Sequence, residues 1–264
     1  RRSFLVSSRW RHPGGRVLLH IGGAESVHAV YLNDQFVGYG TDSRLPSDYD
    51  ISALVRSGEN HLAIVVVRYS AQSYVEDQDQ WWMSGLHRDV FIEAQQQLRI
   101  EDIRVDATVS EVGDSQTGSG QLRILTHVAA PGSERFPAEL NVSATLHYAS
   151  GKQIGKVHVG EVAHSRKPYV FTGHTAEIQW SINDVKLWSA EFPHRYLVRI
   201  ALLDSRGKVL DAIEQWIGFR KVEIKNGDLL VNGRRIMIQG VNRHDHHPDR
   251  GKAVTFQDMK EDVV

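Results

Sequence analysis

Apolar and polar residues alternate along much of this chain, and the period is two. Ile103, Val105, Ala107 and Val109 are separated by Arg104, Asp106 and Thr108; Leu140, Val142, Ala144, Leu146 and Tyr148 by Asn141, Ser143, Thr145 and His147. That alternation predicts antiparallel strands with one buried and one wet face. Upstream, residues 16–21, 29–39 and 61–69 are rich in Val, Ile, Leu and Tyr and are punctuated by Gly22-Gly23, Asn33-Asp34 and Gly58-Glu59-Asn60. They predict a first β-sandwich, with a hairpin around Asn33-Asp34-Gln35. The unbroken apolar run 64–67 predicts a strand covered on both faces. Asp50 is placed to cap a single helical turn that ends near Gly58. The opening residues drop directly into Trp10 and Pro13-Gly14-Gly15 without an initiator Met, so a cut domain end is expected.

A polar bridge, Gln95-Gln96-Gln97, separates this region from a second set of strands. Expected strands lie at 103–109, 122–128, 140–148, 153–159, 169–180, 196–203 and 209–217, joined by turns such as Ala149-Ser150-Gly151. Seven strands in about 120 residues predict an immunoglobulin-like sandwich. Further on, Glu223-Ile224-Lys225 faces Leu229-Leu230-Val231 across Asn226-Gly227, with a second tight turn at Asn232-Gly233. Residues 236–241 read as a buried strand. Thr255 and Asp258 form a capping-box-like helix start, with Phe256, Met259 and Val263 on one face. Strand then helix after two all-β regions predicts the first unit of a (β/α)8 barrel, truncated at the chain's end. The expected domains are therefore 1–96, 97–221 and 222–264.

The 264 residues carry 31 basic and 32 acidic side chains, a formal charge of −1, so no field gathers nucleic acid or an anionic membrane. There is no cysteine, which removes disulfide and thiolate chemistry and fits a reducing cytoplasm. No apolar run approaches the length of a membrane span.

Two stretches carry candidate chemistry. Ser73 to Val90 packs Glu76, Asp77 and Asp79 beside Trp81 and Trp82 between two apolar runs. Such carboxylates accept sugar hydroxyls or ligate a hard cation, and indoles offer faces to a sugar ring. An acidic turn capping a sandwich, with the tryptophans as interface residues, explains the same composition. The second stretch holds His244, Asp245, His246 and His247. A metal site and a polar strand end with backbone-bonded histidines are both open readings.

Both stretches also resemble a known family. Glu76-Asp77-Gln78-Asp79 before the tryptophans, followed by Ser84-Gly85-Leu86-His87-Arg88-Asp89-Val90, is similar to the end of the sugar-binding jelly-roll domain of family 2 glycoside hydrolases. So is the pattern from Tyr49-Asp50-Ile51-Ser52 to Gly58-Glu59-Asn60. Leu187-Trp188-Ser189-Ala190-Glu191-Phe192-Pro193 resembles a stretch of the family's second domain. Gly240-Val241-Asn242-Arg243-His244-Asp245-His246-His247-Pro248 resembles the first barrel strand of its β-galactosidases.

The resemblance implies an internal piece of a retaining β-galactosidase of the large bacterial type, acting on lactose-like galactosides. It implies that Asp79 binds galactose hydroxyls and a sodium ion, and that His244 contacts the sugar and stabilises the transition state. The nucleophile, the acid/base and the magnesium ligands are expected outside this chain, which should be inactive alone. The parent is expected to be a cytoplasmic homo-oligomer using sodium and magnesium, with no nucleic-acid or membrane partner. The alternatives are a β-glucuronidase or other family 2 glycosidase, and a non-catalytic carbohydrate-binding or assembly module.

Overall fold

The computed structural model describes residues 1–10, 14–76, 78, 81–112, 116–129, 139–167 and 170–263. The chain divides into two compact units, residues 1–96 with 240–264, and residues 97–239.

In the first unit, Arg2–Val6, Gly58–Val67, Val27–Leu32 and Gln35–Gly40 form one antiparallel sheet in that order. Ser47–Asp50, Arg16–Ile21 and Val90–Gln95 form a second. Alternate residues enter the core between them: Val17, Leu19 and Ile21 from one sheet meet Val30, Leu32 and Val6 from the other. This is the expected β-sandwich, and the alternation is its cause. The Asn33-Asp34 hairpin forms as expected, both residues having positive φ (51° and 64°), as a type I′ turn requires. Asp50 Oδ1 accepts from Ser52 N at 3.0 Å, and Ile51 O accepts from Val55 N at 2.9 Å, giving the single capped turn. The run 64–67 is not covered on both faces. Val65 and Val67 are 53% and 43% exposed, because the antiparallel sheet leaves its outer face open.

The second unit pairs two four-stranded antiparallel sheets around one core. One runs Arg99–Val112, Thr117–Ala129, Phe171–Lys186, Ala163–Lys167; the other Gln153–Glu161, Asn141–Tyr148, Tyr196–Leu203, Val209–Ile217. In chain order the sheets read 1-2-6-5 and 4-3-7-8, an immunoglobulin-like arrangement. Among the described residues these two sheets hold eight strands, one more than expected, because Ala163–Lys167, outside the expected strands, pairs with Phe171–Lys186. Tyr196, buried at the start of its strand, accepts through its hydroxyl from Lys186 N at 2.8 Å, a tyrosine corner.

A three-stranded ribbon, Val222–Lys225, Asp228–Val231 and Arg234–Arg235, turns at Asn226-Gly227 and Asn232-Gly233 as expected and clusters with the second unit. Asn232 fixes it there, accepting from Lys221 N at 2.9 Å and donating to Trp188 O at 3.0 Å.

The expected buried strand at 236–241 is absent. These residues are irregular, with Met237 and Ile238 each 79% exposed. A parallel barrel strand takes its hydrogen bonds from neighbours on both edges, and no described strand lies beside this run. The helix Phe256–Glu261 does form. Thr255 Oγ1 accepts from Asp258 N at 3.2 Å, and Asp258 Oδ2 accepts from Thr255 N at 2.7 Å. The Thr255 N–H, then Arg250 and the Thr255 hydroxyl, donate to the Asp258 carboxyl and hold it well below the usual carboxylate range.

Candidate functional site

The acidic stretch begins at a short helix, Ala71–Val75, capped by Ser70 and Ser73, whose hydroxyls also meet Ser26 Oγ at 2.8 and 3.0 Å. Glu76 ends that helix. Its Oε1 accepts from Ser43 N at 3.2 Å and Gln72 Nε2 at 3.0 Å, while its Oε2 is buried with no hydrogen-bond partner among the described residues. Asp77 and Asp79 lie outside the described residues. Trp82 is set edge-on to Tyr69 and Tyr74, with ring centroids 6.1 and 5.6 Å away.

Trp81, 66% exposed, meets the ring of His246 edge-on with centroids 4.2 Å apart. The acidic stretch and the histidine segment, remote in sequence, therefore come together within one unit. Around that contact, an added Cβ at Gly251 would lie 2.8 Å from Met83 Sδ. His87 lies over Gly23 so closely that a Cβ there would come within 2.3 Å of its ring, and His87 Nε2 is 3.1 Å from Ser43 O. Burial, then the Arg88 charge, lowers the His87 pKa, which favours a neutral imidazole.

The histidines do not converge. His244 is exposed; His246 packs on Trp81; His247 Nδ1 accepts from Asp249 N at 3.1 Å and thereby holds a turn. Arg243 is engaged by Asp245 and Asp262. Among the described residues no group of three or more His, Cys, Asp or Glu is placed to hold a metal.

Glu25, Arg44 and Lys252 were not singled out from the sequence. Lys252 Nζ forms an ion pair with Glu25, whose Oε2 lies 3.7 Å from Arg44 Nη1. A crevice of about 10 Å³ is lined by these three with Ser43, Arg68 and Glu76. Two carboxylates, Glu25 and Glu76, face three cations there, and Glu25 is engaged by both Arg44 and Lys252.

His28 gives the first unit a pH dependence. It is 1% exposed, its Nε2 is 2.8 Å from the Tyr49 hydroxyl, and its Nδ1 has no partner among the described residues. Burial lowers its pKa. Below about pH 6.5 the unfolded chain takes up a proton that the folded one refuses. Stability is therefore complete above that value and falls as pH drops toward the folded pKa, by at most about 1.4 kcal/mol per pH unit for this group. Urea unfolding of the first unit between pH 7 and 5 should show this slope, and His28→Phe should reduce it to the part that His87 contributes with the same sign.

Glu76, Trp81 and Trp82 follow the strand Gly58–Val67 and the short helix Ala71–Val75 of the first sandwich. The chain belongs to glycosyl hydrolase family 2. Residues 1–95 match the family's sugar binding domain, residues 98–220 match "Glycosyl hydrolases family 2", and residues 222–264 match its TIM barrel domain. The β-galactosidase of Psychromonas ingrahamii is 34% identical over 263 residues, covering 100% of this chain and 24% of that protein. That of Photobacterium profundum is 37% identical over 244 residues, covering 91% and 22%. The chain thus spans about a quarter of the length of these relatives. Among solved structures, Bifidobacterium dentium β-glucuronidase complexed with coumarin-3-O-glucuronide superposes with a TM-score of 0.81 at 21% identity, covering 99% of this chain and 45% of that one. A Ruminococcus gnavus β-glucuronidase gives 0.77 at 20%, covering 99% and 42%. At that identity the likeness is one of fold.

Proposed function

We propose that the whole protein is a β-galactosidase that releases terminal β-galactose by the retaining route, through two carboxyl groups roughly 5 Å apart. The observation that carries this reading is the 34% identity to a protein named β-galactosidase across 100% of the chain. The meeting of Trp81 with His246 supports it further, since it lets a sandwich loop complete a sugar site from the side. In this reading Asp79 takes galactose hydroxyls and sodium, and His244 takes the sugar as charge develops at the anomeric carbon. The domains are 1–96, 97–221 and 222–264. A cytoplasmic homo-oligomer that also uses magnesium, with ligands on other residues, belongs to the same proposal.

A β-glucuronidase needs a cation for the substrate carboxylate. The acidic stretch from Glu76 to Asp79 offers none, which argues against that reading. A non-catalytic module is disfavoured by relatives four times as long that are named for hydrolysis. Comparing kcat/KM of the whole protein on nitrophenyl β-galactoside and β-glucuronide tests the proposal. The galactoside should lead by on the order of a hundredfold or more, because an unpaired carboxylate in a site made for hydroxyls is strongly rejected. A lead for the glucuronide overturns it. The 264-residue chain alone should leave both substrates intact.

A further inference from the structure

We propose that the ion pair between Glu25 and Lys252 is a positioning tie that holds the histidine segment against the acidic loop. The two side chains are 14% and 11% exposed and stand 227 residues apart in sequence. Their neighbours give the pair its leverage. Lys252 directly follows the turn in which His247 and Gly251 exchange backbone hydrogen bonds of 2.8 and 2.9 Å, and His246 leads into that turn. Glu25 pairs with Gly85 in the short ladder of Ala24–Glu25 with Gly85–Leu86, two residues beyond Met83. The ion pair therefore joins the base of one segment to the base of the other.

Residues 240–245 are irregular and exposed, with Val241 at 93%, and the following helix buries no side chain. The Trp81–His246 ring contact and the seat of Met83 over Gly251 also join the two segments, and Arg250, Ala253, Val254 and Thr255 line a crevice with Leu86, His87 and Arg88. Two rings contribute modestly, whereas a largely desolvated ion pair resists both separation and salt. Arg44 adds an asymmetry. Removing Lys252 leaves Glu25 facing Arg44 at 3.7 Å, whereas neutralising Glu25 strips both cations of their partner.

The ring contact supplies a signature that mere stability does not move. His246 protons lie in the ring current of Trp81 and should be displaced from their random-coil shifts, an assignment checked by Trp81→Phe. In Lys252→Gln that shift should fall by at least half, and in Lys252→Arg it should be restored. Lys252→Met, which keeps the stem and removes only the charge, should behave as Lys252→Gln does. An unchanged shift in the Gln and Met variants overturns the proposal. So does an amide spectrum in which both variants unfold the first unit, since the pair then holds the domain and not the segment.

The signature is read on this chain without catalysis, so it can succeed or fail independently of the galactosidase reading. The catalytic consequence rests on that reading. In a whole protein active on galactosides, Lys252→Gln should lower kcat/KM on the order of ten- to a hundredfold through misplacement, and Lys252→Arg should recover most of it. Full activity in Lys252→Gln, with the ring-current shift lost, would overturn the positioning role while leaving the galactosidase reading intact.

Discussion

Replacing Asn60 with alanine should destabilise the first unit by about 3–5 kcal/mol, although no apolar contact of any size is lost. Asn60 is 0% exposed and uses its whole amide. Its Oδ1 accepts from Arg56 N at 2.8 Å and from Asn33 Nδ2 at 2.9 Å; its Nδ2 donates to Arg56 O at 2.7 Å and Gly58 O at 3.0 Å. Asn33 passes the connection on, accepting from His61 N at 3.0 Å and donating to Leu54 O at 3.0 Å. Two amides thus fasten the hairpin turn to the loop that follows Ile51. Truncating one leaves several buried groups without partners, at about 1–3 kcal/mol each before relaxation. Asn33→Gly should cost less, since glycine keeps the positive φ and Asn60 retains its bonds to Arg56 and Gly58. Urea unfolding followed through methyl signals of Leu19 and Ile21 reads the first unit alone. A cost below about 1 kcal/mol for Asn60→Ala would mean that water replaces the amide freely.

Much of the fold was legible because its rules are local. Alternation placed the core strands, and Asn33-Asp34, Asn226-Gly227 and Asn232-Gly233 gave tight turns because two successive positive φ values suit few other residues. Thr255 and Asp258 marked a helix start by two reciprocal bonds three residues apart. Failures came where the deciding partner is distant. The run 236–241 has the composition of a buried strand, but composition does not supply neighbouring strands, and the run lies exposed. Val65 and Val67 look like core until the number of covered faces is known. Ala163–Lys167 is polar enough to pass for a loop and becomes a strand by pairing with Phe171–Lys186.

The candidate site divides the same way. Clustered carboxylates, tryptophans and histidines were visible as two stretches, and their residue types suggested chemistry. That Trp81 meets His246 follows from the fold alone. Glu25 and Lys252 carried no signal, since a single charge on a short strand and a single lysine in a turn are commonplace. Nothing in a sequence pairs two residues 227 positions apart.

The largest kinetic effect is expected at the two residues assigned to the sugar. In the whole protein, Asp79→Asn keeps the size of the side chain and removes its charge. A charge-assisted hydrogen bond is worth about 1.5–3 kcal/mol, so kcat/KM should fall roughly ten- to a hundredfold or more, whatever the leaving group. His244→Ala should act differently. His244 is exposed and bears on no core, so its removal should leave stability unchanged within about 0.5 kcal/mol. Its imidazole is assigned to a sugar hydroxyl whose bond strengthens as oxocarbenium character grows, so kcat should fall and transition-state analogues should weaken more than substrate does. A purely structural role for both residues makes the opposite forecast: less folded protein, with normal turnover in what remains. Titrating active sites with a slow covalent galactosyl inhibitor separates the two. Full occupancy with unchanged turnover in both variants would remove Asp79 and His244 from the sugar site.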